Sequence, residues 1–175
     1  LENLEVRESR PDDLPAVEAL YPDAFPDEDL LPLVKDLLRE TPPVLSLVAT
    51  IDRRLVGHVV FTPCHVRGAP GTKHALLAPL AVATARQRQG VGRALVSAGL
   101  QALEKSGVGQ VFVLGDPAYY TRLGFTAEAD VTPPYPLPDA YIGAWQSIAL
   151  GDRTPRFHGT LVVSPTWQQP ALWGP

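Results

Sequence analysis

The sequence has no methionine, one cysteine (Cys64), few aromatic residues (7%) and no surplus of positive charge. A lone cysteine excludes an internal disulfide and agrees with a reducing compartment. Nothing around Cys64 marks its thiol as a nucleophile, so a packing role is expected. Only 19% of residues are charged and the formal net charge is −4, which gives no electrostatic basis for binding nucleic acid. The apolar runs are broken by glycine, proline or charge before they reach membrane-spanning length. No charged-then-apolar leader is legible at the first residues, and a cytoplasmic protein is expected. Four scattered histidines, with Cys64-His65 lacking partners at ligand spacing, predict no metal site. Internal repeats and low-complexity tracts are missing as well.

What is present is a chain of 175 residues, 45% apolar, sufficient for one domain with its own core. Proline is abundant at 19 residues, and eight of these lie beyond residue 130, where charges are few. That composition reads as irregular loops between strands, so the expectation is a single domain over 1–175 with a proline-rich extension from about 130. Trp145, Trp167 and Trp173 belong to the extension and serve either the core or an interface. The oligomeric state is left open.

Leu4 to Glu8 alternates as a strand does. Pro11-Asp12-Asp13 starts a helix, with acids at its positive end. Leu30, Leu33, Val34, Leu37 and Leu38 share a face of a second helix predicted over 26–39, which Thr41-Pro42-Pro43 stops. Two β-branched runs, 44–51 and 55–66, flank Asp52-Arg53-Arg54 and read as a hairpin. A further strand is predicted at 75–83, a helix at 90–105 closed by Ser106-Gly107, and a strand at 111–114. A short helix at 117–123 and strands at 141–149 and 159–163 complete the order. The fold class is α+β, a mixed and mostly antiparallel sheet flanked by helices in three layers.

The stretch Gln87-Arg88-Gln89-Gly90-Val91-Gly92-Arg93-Ala94 joins a strand to a helix. Glycines there let backbone approach a ligand, and the helix start offers unpaired N–H groups and a positive dipole end. With Arg86, Arg88 and Arg93 around it, the turn suits a phosphate or pyrophosphate. No Gly-Lys-Ser/Thr follows, which excludes a Walker loop, and Leu95 stands where the dinucleotide fingerprint needs glycine.

Gln87-x-x-Gly90-x-Gly92, after a strand ending Leu80-Ala81-Val82, resembles the acyl-CoA motif Gln/Arg-x-x-Gly-x-Gly/Ala of the GCN5-related N-acetyltransferase (GNAT) family. Downstream, Tyr120-Thr121-Arg122-Leu123-Gly124-Phe125 resembles the closing Tyr-x-x-x-Gly-Phe motif in the form of the YhbS-like subgroup. The resemblance covers at least residues 4–128. It implies a GNAT-like fold and acetyl-CoA as co-substrate, bound by Leu80, Ala81, Val82, Gln87, Arg88, Gln89, Gly90, Val91, Gly92, Arg93, Ala94, Pro117, Tyr119 and Arg122. In the family the strand before the turn splays from its neighbour, and an N–H from Leu80–Val82 would stabilise the oxyanion. Pro79 has no N–H for a ladder.

The resemblance also makes Tyr120 the general acid, donating to the departing thiolate, with Tyr119 as the fallback; neighbours on a helix point about 100° apart, so one of the two faces the sulfur. The strand 75–83 contains no carboxylate to act as base. His58 is a candidate base, against the alternative of a hydrogen-bonded core histidine. His65, His74 and His158 are further from the pattern. Asp23, Asp27, Glu28 and Asp29, beside Tyr21 and Phe25, would edge a pocket attracting a cationic amine, or simply serve helix-end electrostatics. The expected activity is transfer of an acetyl group to a primary amine by direct attack in a ternary complex. The competing readings are a non-catalytic acyl-CoA-binding or sensing module and a nucleotide-binding protein of another fold.

Overall fold

The computed structural model describes residues 3–151 and 157–174. Its strands are β1 (Leu4–Glu8), β2 (Leu45–Ile51), β3 (Arg54–Val66), β4 (Lys73–Val82), β5 (Val108–Leu114), β6 (Thr126–Ala127), β7 (Val131–Thr132), β8 (Trp145–Ala149) and β9 (Gly159–Val162). The helices are α1 (Leu14–Ala24), α2 (Leu31–Leu37), α3 (Val91–Lys105) and α4 (Pro117–Tyr120). The hydrogen-bonded strand order β1-β2-β3-β4-β5-β8-β6 makes a mixed, mostly antiparallel sheet, flanked by helices. The chain divides into two compact units, Leu1–Phe61 with Ala78–Gly99 and Thr62–Leu77 with Leu100–Pro175, so β3, β4 and α3 each run through both.

In the first unit, β1, β2 and the first half of β3 are antiparallel. Asp52 and Arg53 close the β2–β3 hairpin with φ of 49° and 67°, the two left-handed residues that match the twist of flanking strands. Val17, Leu20 and Tyr21 of α1 and Val34 of α2 pack with Val48 and Ala81. The helix predicted over 26–39 starts only at Leu31. Pro32 explains the correction: it is tolerated in a first turn, but inside a longer helix it would remove a bond and clash with the preceding turn. Gly99 of α3 lies against the Phe61 ring, where a methyl group would overlap the aromatic carbons.

In the second unit, β4 pairs parallel with β5 from Lys73↔Val108 to Leu76↔Phe112, and β5 pairs antiparallel with β8. β8 starts at Trp145 rather than 141, because a 3-10 turn over Asp139–Ala144 follows Pro138. The two-residue strands β6 and β7 are too short to show alternation, and the sequence reading has no counterpart for them. The three tryptophans belong to the core, each less than one-tenth exposed. Phe112 stacks on Trp145, and Trp173 meets both Trp145 and Trp167 edge-on. Their indole N–H groups donate to the Val131 carbonyl, the Thr62 hydroxyl and the Trp167 carbonyl, so the burial leaves no orphan donor among them. Cys64 is buried, and burial pushes its thiol pKa up, consistent with packing.

Candidate active site

The residues singled out from sequence fall into two groups. His58, Leu80–Val82 and Gln87–Ala94 belong to the first unit; Pro117, Tyr119, Tyr120 and Arg122 belong to the second.

After β4 a 3-10 turn, Thr84–Arg86, leads to Arg88 and Gly90 in left-handed conformation, with φ of 60° and 89°. The reversal delivers the chain into α3. The Ala94 N–H donates to the Gly90 carbonyl at 3.0 Å, so the amides ahead of it, Val91 and Gly92 included, stand at the open start of the helix. Such amides and a positive dipole end suit an anion, a candidate cradle with the exposed Arg88 beside it. The exposed side chains of the two glutamines each bond back to the turn. Gln87 Nε2 donates to the Val82 carbonyl at 3.2 Å and Gln89 Nε2 to the Ala85 carbonyl at 3.1 Å.

The direction of the β4 amides follows from one bond. Ala83 N–H donates to the Val56 carbonyl of β3 at 2.8 Å. Alternation along a strand then points the Ala81 amide toward β3 and the Leu80 and Val82 amides to the opposite edge. The β4–β5 register ends at Leu76, before these residues.

Around Tyr120 the local fold is fully explained by sequence. The Asp116 carboxylate caps α4, accepting from the Ala118 N–H at 2.9 Å, and Pro117 fills the first helical position. Gly124, at φ 97°, ends the following 3-10 turn, and Phe125 returns to meet the Tyr120 ring edge-on at 5.5 Å. The motif Tyr-x-x-x-Gly-Phe is thus one packing unit. Tyr120 is 9% exposed and Tyr119 38%, so the two tyrosines have different surroundings, as adjacent helical residues should. Burial, and then the neighbouring Tyr119, raise the Tyr120 phenol above its ordinary pKa, which keeps its proton in place at neutral pH. Gly115 is a residue the sequence reading did not single out: a Cβ there would stand 2.5 Å from Tyr120 Cε2.

His58 is fully buried. Its Nδ1 meets the Tyr21 hydroxyl at 2.7 Å and its Nε2 the Ser46 hydroxyl at 2.8 Å, and Ser9 Oγ donates to Ser46 in turn. Burial pushes the His58 pKa down to about 4, so the ring is neutral at pH 7 with both nitrogens engaged. These features are those of a core histidine tying α1 to β2 and β3.

A cavity of about 330 Å³ opens at the end of α1, walled by Tyr21, Phe25 and Leu30 and rimmed by Asp27, Glu28 and Asp29. Asp23 is engaged elsewhere: its carboxylate accepts from the Thr84 N–H at 2.8 Å, and the Thr84 hydroxyl donates to its carbonyl at 3.0 Å. Among the described residues no three His, Cys, Asp or Glu side chains are grouped to hold a metal ion. No helix among them is long and apolar enough to cross a membrane.

A strand, a left-handed glycine turn and a helix start, with the tyrosine unit downstream, define the class. The family model described as the acetyltransferase (GNAT) family matches residues 8–125, and the chain belongs to that family as a GNAT-type N-acetyltransferase. It is 38% identical over 125 residues to the uncharacterized N-acetyltransferase YhbS of Escherichia coli K12, covering 71% of this chain and 74% of the relative. It is 37% identical to the uncharacterized N-acetyltransferase YjhQ of the same strain, covering 67% and 68%. The crystal structure of E. coli YhbS in complex with CoA superposes with a TM-score of 0.84 at 32% identity, covering 95% of this chain and 93% of that one. A Brucella melitensis GNAT acetyltransferase in complex with acetyl-CoA gives 0.74 at 28% identity, covering 96% and 100%.

Proposed function

We propose that this protein transfers an acetyl group from acetyl-CoA to a primary amine by direct attack within a ternary complex. The observation that carries the reading is the Arg88–Gly90 reversal feeding the N-terminus of α3. Such a turn presents consecutive amides to an anion, and relatives of this architecture hold CoA and acetyl-CoA. In this reading the open amides of 88–93 bind the pyrophosphate, the Ala94 N–H being taken by the Gly90 carbonyl, and Arg88 and Arg93 add charge. The Leu80 or Val82 amide, turned away from β3, stabilises the oxyanion as the amine adds to the thioester carbonyl. The C–S bond then breaks, and Tyr120 gives its proton to the leaving thiolate. A phenol is a weaker acid than a thiol and burial raises the Tyr120 pKa further, so this transfer is coupled to C–S cleavage and to return of a proton from the amine.

The amine must lose a proton to become a nucleophile, and it loses a second as the amide forms. His58 is left out of that step because both its nitrogens are already hydrogen-bonded. Water takes both protons, returning one to the Tyr120 phenolate and releasing the other to solvent, which suffices for an activated thioester. The carboxylates of Asp27, Glu28 and Asp29 favour arrival of a cationic amine at the cavity rim. Pro117, Tyr119 and Arg122 flank Tyr120 in sequence and contribute to holding the co-substrate.

A panel of small amines, polyamines and peptides assayed for acetyl-CoA-dependent thiol release tests this reading. Release with at least one amine, and acetylated product of matching mass, is expected. Tight CoA binding with no release across the panel would favour the second reading, an acyl-CoA-binding module without catalysis, for which the lack of a carboxylate on β4 speaks.

A further inference from the structure

Asp23 breaks a local rule. It stands in the last turn of α1, at the negative end of the helix dipole, with no basic residue in that turn to offset it. A carboxylate in that place is disfavoured unless it has a specific partner, and Asp23 has one 61 residues along the chain. Its side chain accepts the Thr84 N–H at 2.8 Å, an amide that opens the 3-10 turn over Thr84–Arg86 and has no acceptor within that turn. The Thr84 hydroxyl returns a bond of 3.0 Å to the Asp23 carbonyl, one of the acceptors left over at the end of α1. Each residue thus caps the other's element.

The turn so anchored is the approach to the anion cradle. Arg86 N–H donates to the Ala83 carbonyl, and Gln87 and Gln89 brace the Val82 and Ala85 carbonyls. Those bonds stay within residues 82–89 and fix the shape of the turn, whereas the Asp23 pair, next to the bond from the Ala83 N–H to the Val56 carbonyl, fixes where the turn is held. Arg88 follows in an unfavourable left-handed conformation, which persists only where the surroundings over-determine it.

Taking 88–94 as the pyrophosphate loop, we propose that Asp23 is a positioning residue for the co-substrate, acting through Thr84 to hold that loop in its binding form before CoA arrives. Preorganisation of this kind appears in affinity for the co-substrate, because the ordering cost is met during folding. Since the hydrogen bond uses a carboxylate oxygen as acceptor, an amide oxygen at the same place keeps most of it.

Titration calorimetry with CoA separates the possibilities, using wild type, Asp23→Ala, Asp23→Asn, Thr84→Val and the Asp23→Ala/Thr84→Val double variant, each with its thermal melt. Asp23→Ala is expected to weaken CoA about five- to twentyfold, the scale of one charge-assisted hydrogen bond. Asp23→Asn should restore affinity to within about twofold, a rescue that loss of general stability would not produce. In the double variant the penalties should fall short of additive, since each change removes one of the two bonds that together make a single link. Wild type that fails to bind CoA would overturn the loop reading and this role with it. Wild type that binds while Asp23→Ala matches it would overturn the Asp23 role alone, as would an Asn variant no better than Ala.

Discussion

The ring of Tyr120 lies against the backbone of Gly115, so close that a single added methyl carbon would stand 2.5 Å from Cε2 and 2.9 Å from Cδ2. Glycine at 115 is therefore part of the seat of the phenol. Replacing Gly115 by Ala should push the ring off this seat. The expected outcome is a fall in kcat of about tenfold or more and a loss of about 1–3 kcal/mol in unfolding free energy, the usual range for overpacking. Steady-state kinetics and urea denaturation of the same preparation measure the two effects. Unchanged turnover would separate the orientation of Tyr120 from the chemistry.

Removing only the hydroxyl asks a different question. Tyr120→Phe keeps the ring that meets Phe125, so the fold and CoA affinity should stay within about twofold of wild type. Turnover should drop about 10²-fold, the lower range for a positioned general acid. Single-turnover kinetics against pH, with a thioester of a more acidic thiol as comparison, checks the assignment. A better leaving group needs less protonation and should recover part of the lost rate.

Arg88 combines a charge suited to phosphate with a φ of 60°, which a side chain adopts at a cost. Arg88→Gly relieves that cost, and a gain of about 1 kcal/mol in stability is expected. The same change removes a guanidinium from the cradle and should weaken CoA about three- to tenfold, with a smaller effect at high salt. Denaturation and calorimetry on the same variant would show stability and affinity moving in opposite directions.

His58 predicts a pH dependence of stability. Its proton binds near pH 6.5 in the unfolded chain and near pH 4 in the folded protein. Between those values the unfolded state holds more protons, so this contribution is complete above about pH 6.5 and lost as pH falls toward 4. The full window amounts to about 3 kcal/mol. His58→Gln retains a donor and an acceptor for Tyr21 and Ser46 without titrating, and its denaturation midpoints should fall less steeply over the same range. Parallel pH profiles for the two proteins would remove His58 as the source.

Local patterns carried most of the elements into view. Alternation defined β1, apolar and β-branched runs defined β2 to β4, and helical spacing defined α3 to within a residue of its start. The glycine turn and the tyrosine motif were legible because each is contiguous and each has a single local geometry. Proline defeated the start of α2, since Pro32 decides the boundary and the acids at 27–29 resemble a helix start without being one. The contacts that hold the site together are the ones no window contains. Tyr21 and His58 are 37 residues apart and Asp23 and Thr84 61, and neither pair has a signature before the chain is folded. Gly115 lacks a sequence signal for a related reason: its neighbour is defined by the turn of α4, not by spacing.

Cys64, buried on β3, has a practical consequence for measuring this enzyme. A chromogenic thiol reagent reacts with thiolates that are exposed, and the folded protein presents none of its own. Colour in a turnover assay therefore counts released CoA without a protein blank. In denaturant the same reagent reports one equivalent per chain, the single cysteine of the sequence. One chemical probe thus reads catalysis when the protein is folded and its unfolded fraction when it is not.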